Sequence, residues 1–384
     1  FLPAPLTAAL HQLESQAQPL AWRYVEPLLR ESLGAHYCEL EFEPNAIAAA
    51  SLAQVHRARV LATNDVVVVK LQYPDLASML NEDFDAVVKM LRLARWIPIS
   101  REFDSWLETL RDQIHAEIDY PRELAIAEQL GRVIEQHKGL SVDGVSVAVP
   151  KFWPRYSGAQ WLTMDYVPGF QAGSAEVAAL PQARRNALGR LMLELFFVEV
   201  FELGLMQSDP NFGNYLISAE GDQLTLLDFG SVMTLDGPVQ QALCDTIVAG
   251  HRHDDAALML GLQRLGCLKA DAGSHAQQTF RTFVVNLLEP LRPPAELPPE
   301  FLNEAGEYCW GQSALLNRTG RHVAKSVTSR QFTIPSGDFA LVARKLTGVF
   351  TFIAVLNAEF NAYDVIAPYL KPSSPAKSRP RRRP

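Results

Sequence analysis

Apolar positions in the first forty residues recur at three- and four-residue spacing: Leu6, Leu10 and Leu13, then Val25, Leu28, Leu29 and Leu33. That period predicts helices with one face laid on a neighbouring layer. Pro19 and Pro27 read as breaks or first-turn positions, because proline lacks the amide that an interior turn needs. The period then shortens to two. Val55, Arg57, Arg59 and Leu61 alternate as a strand, Ala62-Thr63-Asn64-Asp65 turns the chain, and Val66 to Leu71 is a β-branched strand with Lys70 inside it. Residues 76–96 and 101–137 return to a helical pattern, and 147–150 and 161–164 predict two further strands. Residues 182–203 read as one long helix with Leu188, Leu191, Met192, Leu195, Phe196 and Val200 on its apolar face, closed by a C-cap at Gly204. Two short apolar runs, Tyr215-Leu216-Ile217 and Leu224 to Leu227, flank Ala219-Glu220-Gly221-Asp222 and predict a hairpin. After Gly230 the pattern is helical to the end, apart from a Pro-rich break at 290–299. Residues 339–370 form an apolar helical pair, suited either to buried packing or to a membrane-surface or partner face.

Composition narrows the class. The 384 residues, 48% hydrophobic and 20% charged, are those of a soluble globular protein with one large core or two lobes. The net charge is −8, yet residues 371–384 carry six Lys and Arg and no acid, which leaves the rest at −14. Such a body argues against nucleic acid as the main ligand. The basic tail cannot pack and reads as disordered, with anionic lipid as a candidate contact. Cys38, Cys244, Cys267 and Cys309 lie far apart, which points to neither a zinc site nor a disulfide framework and fits a reducing compartment. The chain starts at Phe1 rather than Met, so an upstream segment is expected and targeting stays open. The uncharged run 346–358, thirteen residues, is too short to span a bilayer. His251, His253, Asp254 and Asp255 crowd together, but on a helix start they read as a solvated polar cap rather than metal ligands.

The candidate chemistry lies around the hairpin. Asp209 is followed five residues later by Asn214, and the second apolar run delivers Asp228 directly before Phe229-Gly230. The hairpin is expected to gather Asp209, Asn214 and Asp228 at one edge. That set suits phosphoryl transfer from a nucleotide: one carboxylate orients or deprotonates the acceptor, while a carboxylate and an amide oxygen hold magnesium. Asp-Phe-Gly alone is weak evidence, but Asp-x4-Asn followed at hairpin distance by Asp-Phe-Gly is specific. Upstream, strand, turn and strand with Lys70 match the upper lobe of a protein kinase, where that lysine contacts the α- and β-phosphates. The turn Ala48-Ala49-Ala50-Ser51 would lie over the phosphates; kinases usually place glycines there, and this turn has none. A helix glutamate must pair with the lysine. Asp119 and Glu123, four apart, share a helix face unless Pro121 disturbs it, whereas Glu117 does not share that face with Glu123. After strand 161–164, backbone groups of Asp165 and Val167 suit an adenine edge; Met164 either guards the pocket behind or is plain core.

Four segments together, IAAASLAQVH (47–56), EIDYPRE (117–123), QSDPNFGN (207–214) and Asp228-Phe229-Gly230, resemble the UbiB/ADCK family of atypical protein kinases over nearly the whole chain. The resemblance implies an α+β, protein-kinase-like two-lobed fold. Its parts would be a helical extension (1–40), a small β-sheet N-lobe with a helical insertion (41–164), a helical C-lobe (165–290), a C-terminal helical region (291–370) and the tail. It also implies that Ala48 to Ser51 cover the nucleotide phosphates and that Lys70 binds phosphate and pairs with Glu123. Glu117 and Asp119 would form the family's Glu-x-Asp motif, Asp209 would be the catalytic aspartate, and Asn214 and Asp228 would hold magnesium. The implied cofactors are ATP and Mg2+. The implied partners are an isoprenoid lipid or quinone precursor, a membrane surface and a quinone-biosynthesis protein complex. The implied location is peripheral, on the cytoplasmic face of a bacterial inner membrane or in a mitochondrion or other organelle. QSDPN is similar to the mitochondrial-type branch, since bacterial members more often have HADPH. The family's Lys-x-Gly-Gln segment lies upstream of a stretch resembling Phe1-Leu2-Pro3-Ala4-Pro5, and no counterpart of the two C-terminal spans of some bacterial members is expected, which points to peripheral attachment. The expected function is Mg-ATP binding between two lobes, with the γ-phosphate passed to water or an acceptor in support of ubiquinone or other isoprenoid metabolism. Two alternatives stand beside it. A catalytically weak nucleotide-binding scaffold is opposed by the complete Lys70, Asp209, Asn214 and Asp228 set. A small-molecule phosphotransferase of the aminoglycoside or choline type would lack the alanine-rich turn.

Overall fold

Four antiparallel strands, β1 (Leu40–Ala49), β2 (Ala53–Val60), β3 (Val66–Gln72) and β6 (Trp161–Asp165), make one sheet in the order β1-β2-β3-β6. The computed structural model describes residues 19–49, 52–93, 107–108, 111–112, 115–137, 140–268, 272–315, 318 and 337–370. The predictions on residues 1–18, on Ala50 and Ser51 and on the basic tail lie outside these. The chain divides into two compact units: Phe1–Gln136 with Ala148–Pro168 and Thr225–Ser231, and His137–Val147 with Gly169–Leu224 and Val232–Pro384.

In the first unit the period of two along β3 separates core from chemistry. Val67, Val69 and Leu71 join a buried cluster with Val25, Leu29 and Leu33 of helix α1 (Trp22–Leu33) and with Leu40, Val60 and Tyr156. Burying each large aliphatic side chain contributes about 1.5–3 kcal/mol, so this layer anchors the sheet. Alternation puts Val68, Lys70 and Gln72 on the opposite face. Pro27 corrects the sequence reading, since it lies inside α1 rather than at a break. It is exposed, so the carbonyl it leaves unbonded can face water while the buried stripe holds the helix. Ala48 and Ala49 also differ from expectation. They close β1 instead of forming a turn, paired with Val55 and Gln54, and two register shifts earlier in β1 accommodate the bend.

Gln54 and His56 serve this sheet. Gln54 Oε1 accepts the Leu20 amide at 2.8 Å, and its Nε2 lies 2.7 Å from His56 Nε2. His56 Nδ1 lies 3.1 Å from the Glu43 carbonyl. A carbonyl can only accept and an amide NH2 can only donate, so the ring is neutral with its proton on Nδ1. Helix α2 (Leu76–Leu93) follows β3, and α3 (Tyr120–Gln136) buries Tyr120, Glu123, Ala127, Leu130 and Ile134. Asp119 does not share a helix face with Glu123. It stands just before α3 and caps it, its Oδ1 accepting the Arg122 amide at 3.0 Å, because Pro121 sits comfortably only in a first turn.

The second unit starts with β4 (Ser141–Val142) and β5 (Val145–Ala148). These belong to a sheet ordered β4-β5-β9-β8, with β8 (Tyr215–Ile217) and β9 (Gln223–Leu226) forming the expected hairpin. Gly221, at φ 67°, supplies the left-handed residue of its turn. After α4 (Ala175–Ala178), helix α5 (Gln182–Phe197) stops short of the expected end, and Val198–Leu203 continues as a π-helix. The wider winding buries three consecutive side chains, Val198, Glu199 and Val200, before Gly204 ends it at φ 62°. The reading of an all-helical remainder after Gly230 also needs correction: β10 (Val232–Thr234) pairs antiparallel with β7 (Leu205–Gln207), a strand too short for periodicity to reveal. Then come α6 (Gly237–His251), α7 (Asp255–Arg264), α8 (Ser274–Leu287), 3-10 turns through the Pro-rich segment, α9 (Gly337–Val355) and α10 (Tyr363–Ile366). Leu346, Val349, Phe350, Phe352 and Ile353 of α9 are buried core. Asp254 caps α7 by accepting the Ala257 amide at 3.0 Å, and His251 bonds the Leu291 carbonyl at 3.0 Å. Among the described residues no helix is long and apolar enough to cross a membrane.

Burial lowers the pKa of His56 below 6.5, the Glu43 carbonyl pulling weakly the other way. The unfolded state therefore takes up the proton first. The stability this ring contributes is complete above pH 6.5 and is lost as pH falls through the lowered folded value. The melting temperature should accordingly drop on acidification below pH 6.5, and drop less steeply in His56→Gln. Parallel profiles for the two proteins would exclude His56 as the titrating group.

Candidate active site

Lys70 is fixed by register, opposite Val55 of β2 and Leu162 of β6. Its Nζ lies 3.3 Å from both carboxylate oxygens of Glu123 and 3.6 Å from Asp228 Oδ2. The Tyr120 ring lies 5.1 Å from the same ammonium. Burial would lower the Lys70 pKa, but the Glu123 and then the Asp228 carboxylate more than compensate, and the net direction is up. Burial pushes Glu123 up as well, and Asp228 adds to this while Lys70 and the Phe229 amide pull it down. For the pair the direction we hold to is that of Lys70: the ammonium stays charged because two carboxylates face it. Glu123 is 1% exposed, whereas the Lys70 and Asp228 side chains keep 20% and 34%. The charge is thus held from behind and open in front.

Helix α3 also sets the Asp-Phe-Gly segment. Glu123 Oε1 accepts the Phe229 amide at 3.3 Å, and Arg122 Nη1 donates to the Gly230 carbonyl at 3.1 Å. Asp228 Oδ1 accepts the Gly230 amide at 2.9 Å, closing a local turn. Phe229 is fully buried, with its ring edge-on to Phe152 at 5.9 Å. Met164 is buried opposite Val68. The Asp165 amide is taken by the Lys151 carbonyl at 2.8 Å, and its carboxylate accepts the Trp153 indole N–H at 2.8 Å. The ladder ends at Tyr166, which donates to the Val66 carbonyl at 3.0 Å; Val167 follows beyond it.

Asp209 and Asn214 belong to the second unit. Asn214 Nδ2 donates to Asp209 Oδ2 at 2.8 Å, and the Asp209 amide donates to Gln207 Oε1 at 2.6 Å. The other oxygen, Oδ1, accepts from Arg344 Nη2 at 3.2 Å. Beside it, Lys345 donates to the Tyr215 hydroxyl at 3.0 Å and lies 3.5 Å from Glu199 Oε2, with the two charged side chains 1% and 0% exposed. Burial lowers the Lys345 pKa and Glu199 raises it, the net direction again being up. Of the residues singled out in the sequence, Lys70, Glu123 and Asp228 are together in the first unit, and Asp209 and Asn214 in the second. Asp119 is a cap, and the Glu117 backbone lies beside Gly230. Arg344, Lys345 and Glu199 were not anticipated, and Gln207 was singled out only as part of the QSDPN motif.

With this geometry in hand the comparisons are decisive for kinship. The model of the ABC1 atypical kinase-like domain matches residues 12–260. The chain belongs to the ABC1 family. This ABC1 chain is 27% identical over 368 residues, 94% of its own length, to the atypical kinase COQ8, mitochondrial, of Schizosaccharomyces pombe, and covers 56% of that protein. It is 32% identical over 213 residues to the atypical kinase COQ8B, mitochondrial, of Danio rerio, which is 55% of this chain and 32% of that one. It thus spans about half, or less, of the length of these relatives. Among solved structures, the complex of Rv3197 with erythromycin from Mycobacterium tuberculosis matches with a TM-score of 0.68 at 20% identity, over 97% of this chain and 90% of that one. That likeness concerns the fold, which is kinase-like, mixed helix and sheet.

The Lys345–Glu199 pair carries a stability prediction. Removing one partner of a buried ion pair leaves an uncompensated charge, which costs about 3–5 kcal/mol. Lys345→Met should lower the unfolding free energy by that order in urea titration, and adding Glu199→Met should restore part of the loss. A single variant within experimental error of the parent would remove the pair from the structural account.

Proposed function

We propose that this ABC1 chain binds Mg-ATP and transfers its γ-phosphate to water or to a hydroxyl acceptor. The observation that carries the reading is the Lys70 ammonium, backed by the buried Glu123 and facing the more exposed Asp228. A charge held in this way is suited to α- and β-phosphate oxygens. Asp228 and Asn214 would each offer magnesium a hard oxygen: Asp228 Oδ2 is not used by the local turn, and the Asn214 side chain carries an amide oxygen. When bound, the ion neutralises phosphate charge. Asp209 orients the attacking oxygen; the bond from that oxygen to phosphorus forms as the bond to the ADP oxygen breaks, and the acceptor proton passes to Asp209 or to solvent. Ala48 to Ser51 cover the phosphates, Glu117 and Asp119 support that side, and Asp165, Val167 and Met164 receive the base. The rate would come from positioning and electrostatics rather than from covalent chemistry.

We further read the process served as ubiquinone or other isoprenoid-lipid metabolism at a membrane, in an organelle or on a bacterial inner membrane. Support comes from the resemblance of the four sequence segments and from relatives that carry the COQ8 name. One observation favours a second reading, a catalytically weak nucleotide-binding scaffold acting on a quinone-biosynthesis complex: both Asp209 oxygens already have donors, Asn214 and Arg344.

Two substitutions separate the readings. Asp228→Asn should lose magnesium-dependent ATP and ADP affinity in titrations with and without the ion; retained affinity would take Asp228 out of the metal site. Asp209→Asn should bind Mg-ATP as the parent does yet lower phosphate release by about 100-fold or more, in line with the loss of a general base or an orienting group. Equal release by variant and parent would leave the scaffold reading standing.

A further inference from the structure

Helix α9 lies outside the residues that the family model matches, yet one of its faces runs along the 209–215 segment. Arg344 bonds Asp209 Oδ1 at 3.2 Å. Lys345 bonds the Tyr215 hydroxyl, one residue past Asn214, at 3.0 Å. Gly348 sits where a Cβ would come within 2.1 Å of Pro210 Cβ and 3.2 Å of Pro210 Cα, a close approach that only glycine permits. Phe352 presents its ring edge-on to Phe212 at 5.8 Å and to Tyr215 at 5.7 Å. Residues 344, 345, 348 and 352 share one side of the helix, at the spacing that stacks side chains along a face. The helix is therefore keyed into the segment by a buried charge, a glycine contact and an aromatic contact, and Arg344 is carried to Asp209 by that keying.

We propose that Arg344 is a positioning residue for Asp209. The carboxylate plane is defined by two donors on its two oxygens, Asn214 on Oδ2 and Arg344 on Oδ1. Losing one frees the side chain to rotate, and small misplacements of a reacting group cost far more in rate than in binding. The arginine itself is 59% exposed and Asp209 30%, and an exposed pair adds little to stability. Its contribution thus lies in orientation. The proposal rests on Asp209 being the carboxylate that orients the attacking oxygen.

Phosphate release from Mg-ATP by the full chain, measured over a range of ATP concentrations, tests it with Arg344→Met, Arg344→Lys and Asp209→Asn in parallel. Arg344→Met should lower kcat by about 10- to 100-fold, leave KM for ATP within about 2-fold and shift the melting temperature by no more than about 2 °C. Arg344→Lys, which can still place one donor on Oδ1, should recover part of the rate. An unchanged kcat, a raised kcat as expected of a brake, or a fall matched by lost stability overturns the positioning role. Turnover retained by Asp209→Asn overturns the catalytic reading itself. A crystal structure of Arg344→Met supplies a readout that needs no turnover: the Asp209 carboxylate should be rotated or split between rotamers, and an unaltered side chain sinks the proposal.

Discussion

A lysine ammonium taken out of water must be met by a carboxylate, and among the described residues each unit shows such a pair. Lys70 faces Glu123 in the first, and Lys345 faces Glu199 in the second. Both glutamates are wholly desolvated, so neither can lose its lysine without leaving a buried charge. The pairs differ in access. Lys345 and Glu199 are sealed, which makes their pair a clamp for whatever surrounds it. Lys70 keeps a fifth of its surface and has a second carboxylate, Asp228, in front. A cation backed by one acid and fronted by a more exposed one can hold an anion without unfolding anything to reach it.

What the sequence could disclose follows from the range of the interactions. The period-two run of β3 marks both the buried valines and Lys70 as its intruder, because alternation is set by neighbours in the chain. The β8–β9 hairpin and the Gly204 cap are equally local. Glu199 and Lys345 were invisible for the opposite reason: Lys345 and its partner Tyr215 stand 130 positions apart, and no local period reports such a contact. The π-helical winding that carries Glu199 inward leaves no mark in an apolar stripe that reads as an ordinary helix. The i,i+4 argument for Asp119 held only if Pro121 left the helix undisturbed, and Pro121 instead fixes the helix start one residue after Asp119.

The same distinction explains Gln54 and His56, which stand out in the sequence beside the alanine run. Val55, between them, is the strand partner of Lys70. Gln54 ties β2 to Leu20 ahead of α1, and His56 ties it to Glu43 of β1. Neither side chain reaches toward Lys70. Their hydrogen bonds hold the strand that holds the lysine, and the one between them is buried, where leaving it unmade would cost about 1–3 kcal/mol.

That chain of dependence bears on the alanines. Glycine over a phosphate lets the backbone approach closely but keeps many conformations available. Ala49 is paired with Gln54, so ladder pairing extends through both Ala48 and Ala49, and Gln54 is the residue anchored to Leu20. Side chains with a Cβ confine φ to negative values, which favours the extended pairing seen here and reduces the entropy lost on ordering the segment. The end of β1 is therefore stiffened twice: by the restriction that Ala48 and Ala49 carry themselves and by a strand whose buried partners cannot move without exposing polar groups. A glycine at 49 would release only the first of these. The rigidity of this edge thus belongs to the β1–β2 ladder and its Gln54–His56 anchor as much as to the alanines.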